Sequence, residues 1–377
     1  MKIVHVYKDY YPPVVGGIEK HIAQLCNHFK RGHEVEVIVC NHGLTTRIET
    51  IDGVKVTKVG QLGRIQSAPL PPSLPLRLRA TRADIFHYHV PNPTCEFSHL
   101  LARPAGKLVA TYHSDIVRQE FLLRFYRPFL RRFLARADAI LPTSPIYMET
   151  SPFLQGVKEK CEVVPLGVDT HMFDEAGSSM EAEIERIRGL FGPEFLLFVG
   201  KLRYYKGLQF LIEAMPKIDA PLVVVGSGPM EKELQFLAAN YRVAEKVHFV
   251  GELTEKDLAA FFHACSVFVL PSVYRSEAYG LVQLEAHVCA KPVVSTRLGT
   301  GVEFVNIDGR TGFVVSPADS AALANAINRL LADPERRREM GEFAQKRAHS
   351  EFSLERMCEH VEAIYERVLA HKRVSRN

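Results

Sequence analysis

The feature that most constrains this chain is an alternation, run through twice, of short β-branched segments with stretches of helical spacing. In the first pass, residues 2–7, 34–40, 54–59, 84–89, 107–113, 139–142 and 161–165 read as strands. Between the first two, residues 18–29 put Ile18, Ile22, Leu25 and Phe29 on one helical face. In the second pass, strands are expected at 195–199, 222–225, 247–250, 267–270 and 292–295, and helices at 208–215, 230–240, 255–264 and 280–289. Such alternation implies a largely parallel sheet with both faces covered. A chain of 377 residues exceeds what one core usually serves, so two α/β domains are expected. From residue 318 the pattern is helical, with Pro334 in a first-turn position. A last run places Leu354, Met357, Val361, Ile364, Tyr365 and Val368 on one face, which must be buried somewhere.

Composition narrows the function classes. Residues 1–6 lead straight into Lys8 and Asp9, leaving no room for the apolar core of a signal peptide, and no apolar run approaches a membrane span. The seven cysteines contain no C-x-x-C pair, which argues against a zinc site or a disulfide framework. A cytoplasmic protein is expected. Charge is uneven: residues 1–170 hold 22 Lys and Arg against 15 Asp and Glu, the remainder 25 against 28. The basic half suits an anionic partner or is a solvated surface. Nucleic acid is not the expected partner, as no binding motif for it is present.

Four stretches carry chemistry. Residues 275–290 read R-S-E-A-Y-G-L-V-Q-L-E-A-H-V-C-A and follow an apolar strand, so they sit where open α/β sheets bind ligands. Glu277 and Glu285 are eight residues apart there, placed to meet two ends of a long polar ligand, or else to cap a helix and face solvent. Residues 198–207, F-V-G-K-L-R-Y-Y-K-G, set Lys201, Arg203 and Lys206 beside an expected helix N-terminus, a seat for a diphosphate that lacks the Walker pattern. Residues 225–229, V-G-S-G-P, start like a dinucleotide fingerprint, but Glu231 stands at the third glycine position and would repel a pyrophosphate. Gly16-Gly17 lies between a strand and a helix, and His89 and His113 end two strands, in ligand-facing or purely structural roles.

Taken together and in order, these pieces resemble a retaining family 4 (group 1) glycosyltransferase of the GT-B type over nearly the whole chain. Gly16-Gly17 matches its N-terminal glycine loop and residues 199–207 its V-G-R-L-x-x-x-K-G. Residues 277–285 match its E-x7-E, and 299–303 (G-T-G-V-E) with 308–312 (D-G-R-T-G) its closing glycine segments. The resemblance implies an α/β GT-B fold: two facing Rossmann-like domains, an acceptor-binding one at 1–168 completed by a C-terminal helix at 354–377, and a nucleotide-sugar-binding one at 169–353. It implies that Glu277 binds hydroxyls of the transferred sugar and Glu285 the nucleotide ribose. Lys206 and Arg203 would neutralise the diphosphate, and His113 would line the sugar. Gly16, Gly17, Lys201, Gly226, Gly251, Ala278, Tyr279, Gly280 and Leu281 complete the donor-binding set, with Gly17 offering backbone N–H groups. Lys201 replaces the family's usual arginine, which keeps the charge but loses the bidentate fork.

No D-x-D motif or His/Asp cluster offers ligands for a nucleotide-bound cation, so neither metal nor cofactor is expected. Residues 113–119 and 202–206 are similar to mannosyl- or rhamnosyl-type members, which favours a GDP-linked donor and a lipid-linked or oligosaccharide acceptor in cell-surface polysaccharide synthesis. A UDP-sugar-dependent hexosyl or N-acetylhexosaminyl transferase, a GT-B sugar-nucleotide epimerase and a non-catalytic sugar-nucleotide-binding subunit are the alternatives. Arg118, Arg124, Arg127, Arg131, Arg132 and Arg136 punctuate an apolar run that suits either an anionic membrane surface or an ordinary core-facing helix with a solvated basic face.

Overall fold

The computed structural model of the chain describes residues 1–14, 16–65, 68–115 and 120–374. These pack into two units, one of residues 1–166 with 355–377, the other of residues 167–354. Arg118 of the basic run, and residues 116–119 of the segment after His113, lie outside the described residues.

In the first unit the chain runs β1 (Lys2–Val6), α1 (Gly17–Phe29), β2 (Glu34–Cys40), β3 (Arg47–Ile51) and β4 (Val54–Val59). A small hairpin, β5 (Arg64–Ile65) and β6 (Ala68–Pro69), precedes α2 (Leu74–Ala80), β7 (Ile85–Val90), α3 (Pro93–Ala102), β8 (Lys107–Tyr112), α4 (Glu120–Arg136), β9 (Ala139–Pro142) and α5 (Pro145–Thr150). The main sheet has the order β3-β4-β2-β1-β7-β8-β9 and is parallel except for β3. Central β7 is buried along its whole length, as a strand covered on both faces must be.

Two expectations fail here for physical reasons. β3, R-I-E-T-I, was not expected: it is an exposed, charged edge strand whose Ile48 faces solvent, so it carries no alternation of buried and exposed positions. Residues 161–165, expected as a strand, are not one. Glu162 and Val164 each donate one backbone bond to β9, but Pro165 has no N–H with which to continue the ladder.

In the second unit the order is α6 (Thr170–Ser179), α7 (Glu181–Phe191), β10 (Leu196–Val199), α8 (Leu208–Ala214), β11 (Leu222–Val225), α9 (Glu231–Asn240) and β12 (Val247–Gly251). Then come α10 (Glu255–Ala264), β13 (Val267–Leu270), α11 (Leu281–Val288), β14 (Val293–Thr296), α12 (Gly301–Val305), β15 (Gly312–Val315), α13 (Ser320–Leu331) and α14 (Pro334–Glu351). The sheet order is β12-β11-β10-β13-β14-β15, with every pairing parallel. The chain leaves β10 toward one edge and returns to build the other, so β10 and β13 flank the switch point of the sheet. β15 escaped the sequence reading because it opens on Gly312, straight out of a glycine-rich turn, which leaves only residues 313–315 with strand-forming side chains.

The final helix, α15 (Leu354–Val374), leaves the second unit and closes the first. Met357, Cys358, Val361, Ile364, Tyr365 and Val368 are all buried, as the spacing requires. Polar clasps fix its register on the first unit: Glu362 to His33 at 2.5 Å, His360 to Glu162 at 2.7 Å, and Arg367 to the same Glu162. The departing and returning strands of chain run side by side, since Val168 donates to the Phe352 carbonyl and Leu354 to the Val168 carbonyl. Gly167 is needed for that approach: a Cβ there would stand 2.8 Å from the Ser353 carbonyl oxygen.

Candidate active site

The loops that leave β10 and β13 are pressed together. Gly207 adopts a left-handed φ of +69°, and a Cβ on it would fall 1.9 Å from the carbonyl oxygen of Pro271. Val273 donates its backbone N–H to the Tyr205 carbonyl across the same seam. This brings together two residues far apart in sequence: Lys206 Nζ lies 2.7 Å from Glu277 Oε2, with both side chains about nine-tenths buried. Ser272 Oγ donates to the same oxygen at 3.0 Å, and Thr300 Oγ1 donates to the Glu277 carbonyl at 2.9 Å. Burial alone would lower the Lys206 pKa, but the facing Glu277 charge more than reverses this and raises it above the ordinary lysine value. The ammonium is therefore charged.

A buried ion pair contributes little net stability over an apolar pair of equal volume, because desolvation offsets attraction. Its position at the switch point of a parallel sheet marks it instead as a candidate binding group. Arg275 braces the neighbourhood by donating to the carbonyls of Gly299 (2.7 Å) and Leu298 (3.3 Å). Glu303 accepts from the backbone of Leu298, Gly299 and Thr300, closing a capping box at the start of α12.

The remaining expected residues fall around this pair in different ways. Lys201 and Arg203 are on the β10 loop and exposed, unlike Lys206. Gly280 takes a left-handed φ of +70° and starts α11 without a side-chain cap, with Leu281 the first helical residue and Glu285 half-buried one turn later. Tyr279 is buried, and the Ala278 carbonyl accepts from Gly301. The V-G-S-G turn has a packing explanation: a Cβ on Gly226 would strike the Gly200 carbonyl at 2.2 Å, and one on Gly228 the Leu202 carbonyl at 2.5 Å. The Gly226 N–H is spent on the Gly251 carbonyl. Ser272, Thr300 and Arg275 were missed in the sequence; a serine ending an apolar strand just before the acidic motif was the available signal.

In the first unit, Gly16 precedes α1, and the Glu19 carboxylate occupies the space where a Gly16 Cβ would sit. An acid at a helix N-terminus is favourable, so an anion approaching Gly17 meets that carboxylate first. His113 follows β8 and belongs to a buried group of imidazoles with His5, His21, His87 and His89. The register pairs His5 with His87 across β1 and β7, and the period of two puts His87 and His89 on one face. His87 bonds the Tyr365 hydroxyl of α15 at 2.5 Å and Thr111 Oγ1 at 2.7 Å. His21 on α1 stands edge-on to His89 and His113. Burial holds all five rings far below the usual histidine value, His5 and His21 at about 3, with like neighbours adding to it at His5, His87, His89 and His113. Only His89 and His113 were singled out from the sequence, because seeing His5 and His21 as their neighbours requires the sheet register.

With this geometry in hand, the relatives are informative. Residues 181–347 match the family Glycosyl transferases group 1, and residues 15–172 match Glycosyltransferase Family 4. O-antigen chain mannosyltransferase C of Escherichia coli is 36% identical over 99% of this chain and 100% of its own length. The chain belongs to the family 4, group 1 glycosyltransferases. D-rhamnosyltransferase WbpZ of Pseudomonas aeruginosa is also 36% identical, over 94% of this chain and 92% of its own. Among solved structures, sucrose-phosphate synthase from Thermosynechococcus elongatus superimposes with a TM-score of 0.80 at 23% identity, covering 98% of this chain and 99% of that one. The fold of this glycosyltransferase is therefore GT-B, with Rossmann-like units and a C-terminal helix returned to the first. Among the described residues, no helix is long and apolar enough to cross a membrane.

Proposed function

We propose that this glycosyltransferase moves a mannose- or rhamnose-type hexose from a GDP-linked donor to a lipid-linked or oligosaccharide acceptor, with retention at the anomeric carbon and without a metal ion. The buried Lys206–Glu277 pair carries the reading. The donor diphosphate takes the Lys206 ammonium, and Glu277, released from it, accepts hydroxyl groups of the sugar. As the sugar–phosphate bond breaks, negative charge grows on the departing nucleoside diphosphate, and a cation already in place stabilises that charge without reorganisation. Arg203 adds a second cation from the same loop, and Lys201 a third. Glu285, in α11, takes the ribose. The amides around Gly251, Ala278, Tyr279, Gly280 and Leu281 complete the donor contacts of the second unit, whereas the Gly226 N–H is already taken by the Gly251 carbonyl and Glu19 stands before Gly16 and Gly17. In this reading the second unit holds the donor and the first the acceptor.

The sugar class is supported by the two relatives named above, a mannosyltransferase and a D-rhamnosyltransferase, sugars whose usual carrier is GDP. For the acceptor, α4 supplies a supporting observation. Leu130, Phe133 and Leu134 are buried in the first unit, while Phe125 and Phe129 are exposed beside Arg124, Arg127, Arg131 and Arg132. Exposed aromatics among arginines suit an anionic bilayer surface that carries a lipid-linked acceptor.

A panel of GDP- and UDP-sugars, followed by nucleotide release with and without acceptor lipid in the presence of a chelator, tests this reading. Acceptor-dependent release of GDP with an axial, retained linkage supports it. Release without acceptor identifies an epimerase, and no release from any donor identifies a binding subunit.

A further inference from the structure

Ser272, the second residue past β13, is wholly buried and held from both ends. Its carbonyl accepts from Thr296 Oγ1 at the end of β14, itself wholly buried, and its Oγ donates to Glu277 Oε2 at 3.0 Å. Serine hydroxyls most often bond backbone groups or water; this one is spent on a side chain of the candidate site. The main chain of Glu277 is fixed as well, by its N–H on the Tyr274 carbonyl and by Thr300 Oγ1 on its own carbonyl, each at 2.9 Å.

Glu277 Oε2 thus takes two donors, the Lys206 ammonium at 2.7 Å and the Ser272 hydroxyl, while among the described residues Oε1 accepts no hydrogen bond. The two donors differ in what they can do. The ammonium ends a flexible four-carbon stem and can swing to a second anion. The hydroxyl stands one carbon from a clamped backbone and cannot follow. When a diphosphate draws the ammonium away, the carboxylate is left nearly buried and without its counter-charge, a costly state for such a group. With nothing else to hold it, it would turn after the ammonium, toward a ligand of its own sign. A hydrogen bond to a carboxylate is about twice as strong as one between neutral groups, and Ser272 supplies one that stays.

We propose that Ser272 is a positioning residue, which keeps the Glu277 carboxylate in place once Lys206 has turned to the donor diphosphate and so presents Oε1 to the hydroxyls of the hexose. The inference rests on the reading of Lys206 and Glu277 given above. Every residue in it belongs to the second unit.

The test is kcat/KM for a GDP-linked hexose in a cycle of Ser272→Ala, Glu277→Ala and the double variant, each in folded protein. Ser272→Ala removes one oxygen and adds nothing, and should lower kcat/KM about ten- to a hundredfold. Ser272→Cys, close in size but a weak donor, should lose as much, whereas Ser272→Thr, which keeps the hydroxyl, should return to within about threefold of the wild type. On top of Glu277→Ala, the serine change should cost less than about threefold more, because the group it positions is already gone. Unchanged kcat/KM in Ser272→Ala overturns the proposal. So does a loss repeated in full in the double variant, which would mean that the serine acts on the fold and not through the carboxylate. If Glu277→Ala does not fold, equal activity of Ser272→Cys and Ser272→Thr overturns it instead. In all these cases Lys206→Ala still loses its activity; full turnover in Lys206→Ala removes the reading on which the inference rests.

Discussion

The two units bury titratable groups in opposite ways. The first surrounds five histidines with one another and with hydroxyls, and keeps every ring neutral. The second buries a lysine against a glutamate and keeps that lysine charged. Neutral rings offer orientation and directional donors; a charged pair offers a field. In the proposed reaction the charged pair is the one suited to a leaving group on which negative charge grows.

The largest consequence of this contrast is acid sensitivity confined to one unit. A histidine whose folded pKa is depressed binds no proton in the native state, whereas the unfolded chain takes one up below about 6.5. Stability is therefore complete above that pH and is lost as pH falls through the window toward about 3. Each such ring costs about 1.4 kcal/mol per pH unit, so these five together with His99, which burial holds at about 4, cost up to about 8 kcal/mol per unit. The first unit should lose structure near pH 5 while the second, with only His287 and the less perturbed His263 buried this way, persists. Hydrogen exchange pulsed at fixed pH after incubation in acid resolves the two. Earlier loss of protection in residues 170–350 would reverse the comparison.

Breaking the pair comes next. Glu277→Ala leaves the Lys206 ammonium buried without its partner and should destabilise the second unit by about 3–5 kcal/mol, whereas the double change to two apolar residues should cost far less. Denaturant melts of the two singles and the double, read as a cycle, check this; additive losses would mean the pair is not coupled. The smallest effect belongs to the bond between His87 and Tyr365. Tyr365→Phe removes the hydroxyl that His87 and α15 share and should lower first-unit stability by about 1 kcal/mol, read as a shift in its denaturant midpoint and as faster exchange in α15. A second-unit shift instead would mean that α15 is not anchored through this bond.

How much of this was legible beforehand depended on range. Strands such as β7 and β13 are continuous apolar or aromatic runs, and α1 and α15 show their buried faces in their spacing. β3 and β15 were invisible, one for want of a buried face and the other because its opening glycine reads as part of the preceding turn. Lys206 and Glu277 each stood out as residue types at a strand exit, but their contact did not, because it depends on Gly207 letting its loop touch Pro271. The buried imidazole group is still less readable. It needs the parallel register of β1 on β7 and the placing of α1 beside them, which no local pattern encodes.

Lys206 is the cation proposed to meet the leaving diphosphate. The most direct measurement is the rate of GDP release from a GDP-linked hexose and lipid acceptor in a chelating buffer, for the wild type and for folded Lys206→Ala. The expected result is acceptor-dependent turnover in the wild type without metal, and a loss of about a hundred- to a thousandfold in the variant. Turnover unchanged by Lys206→Ala, or present only when magnesium or manganese is restored, would contradict it.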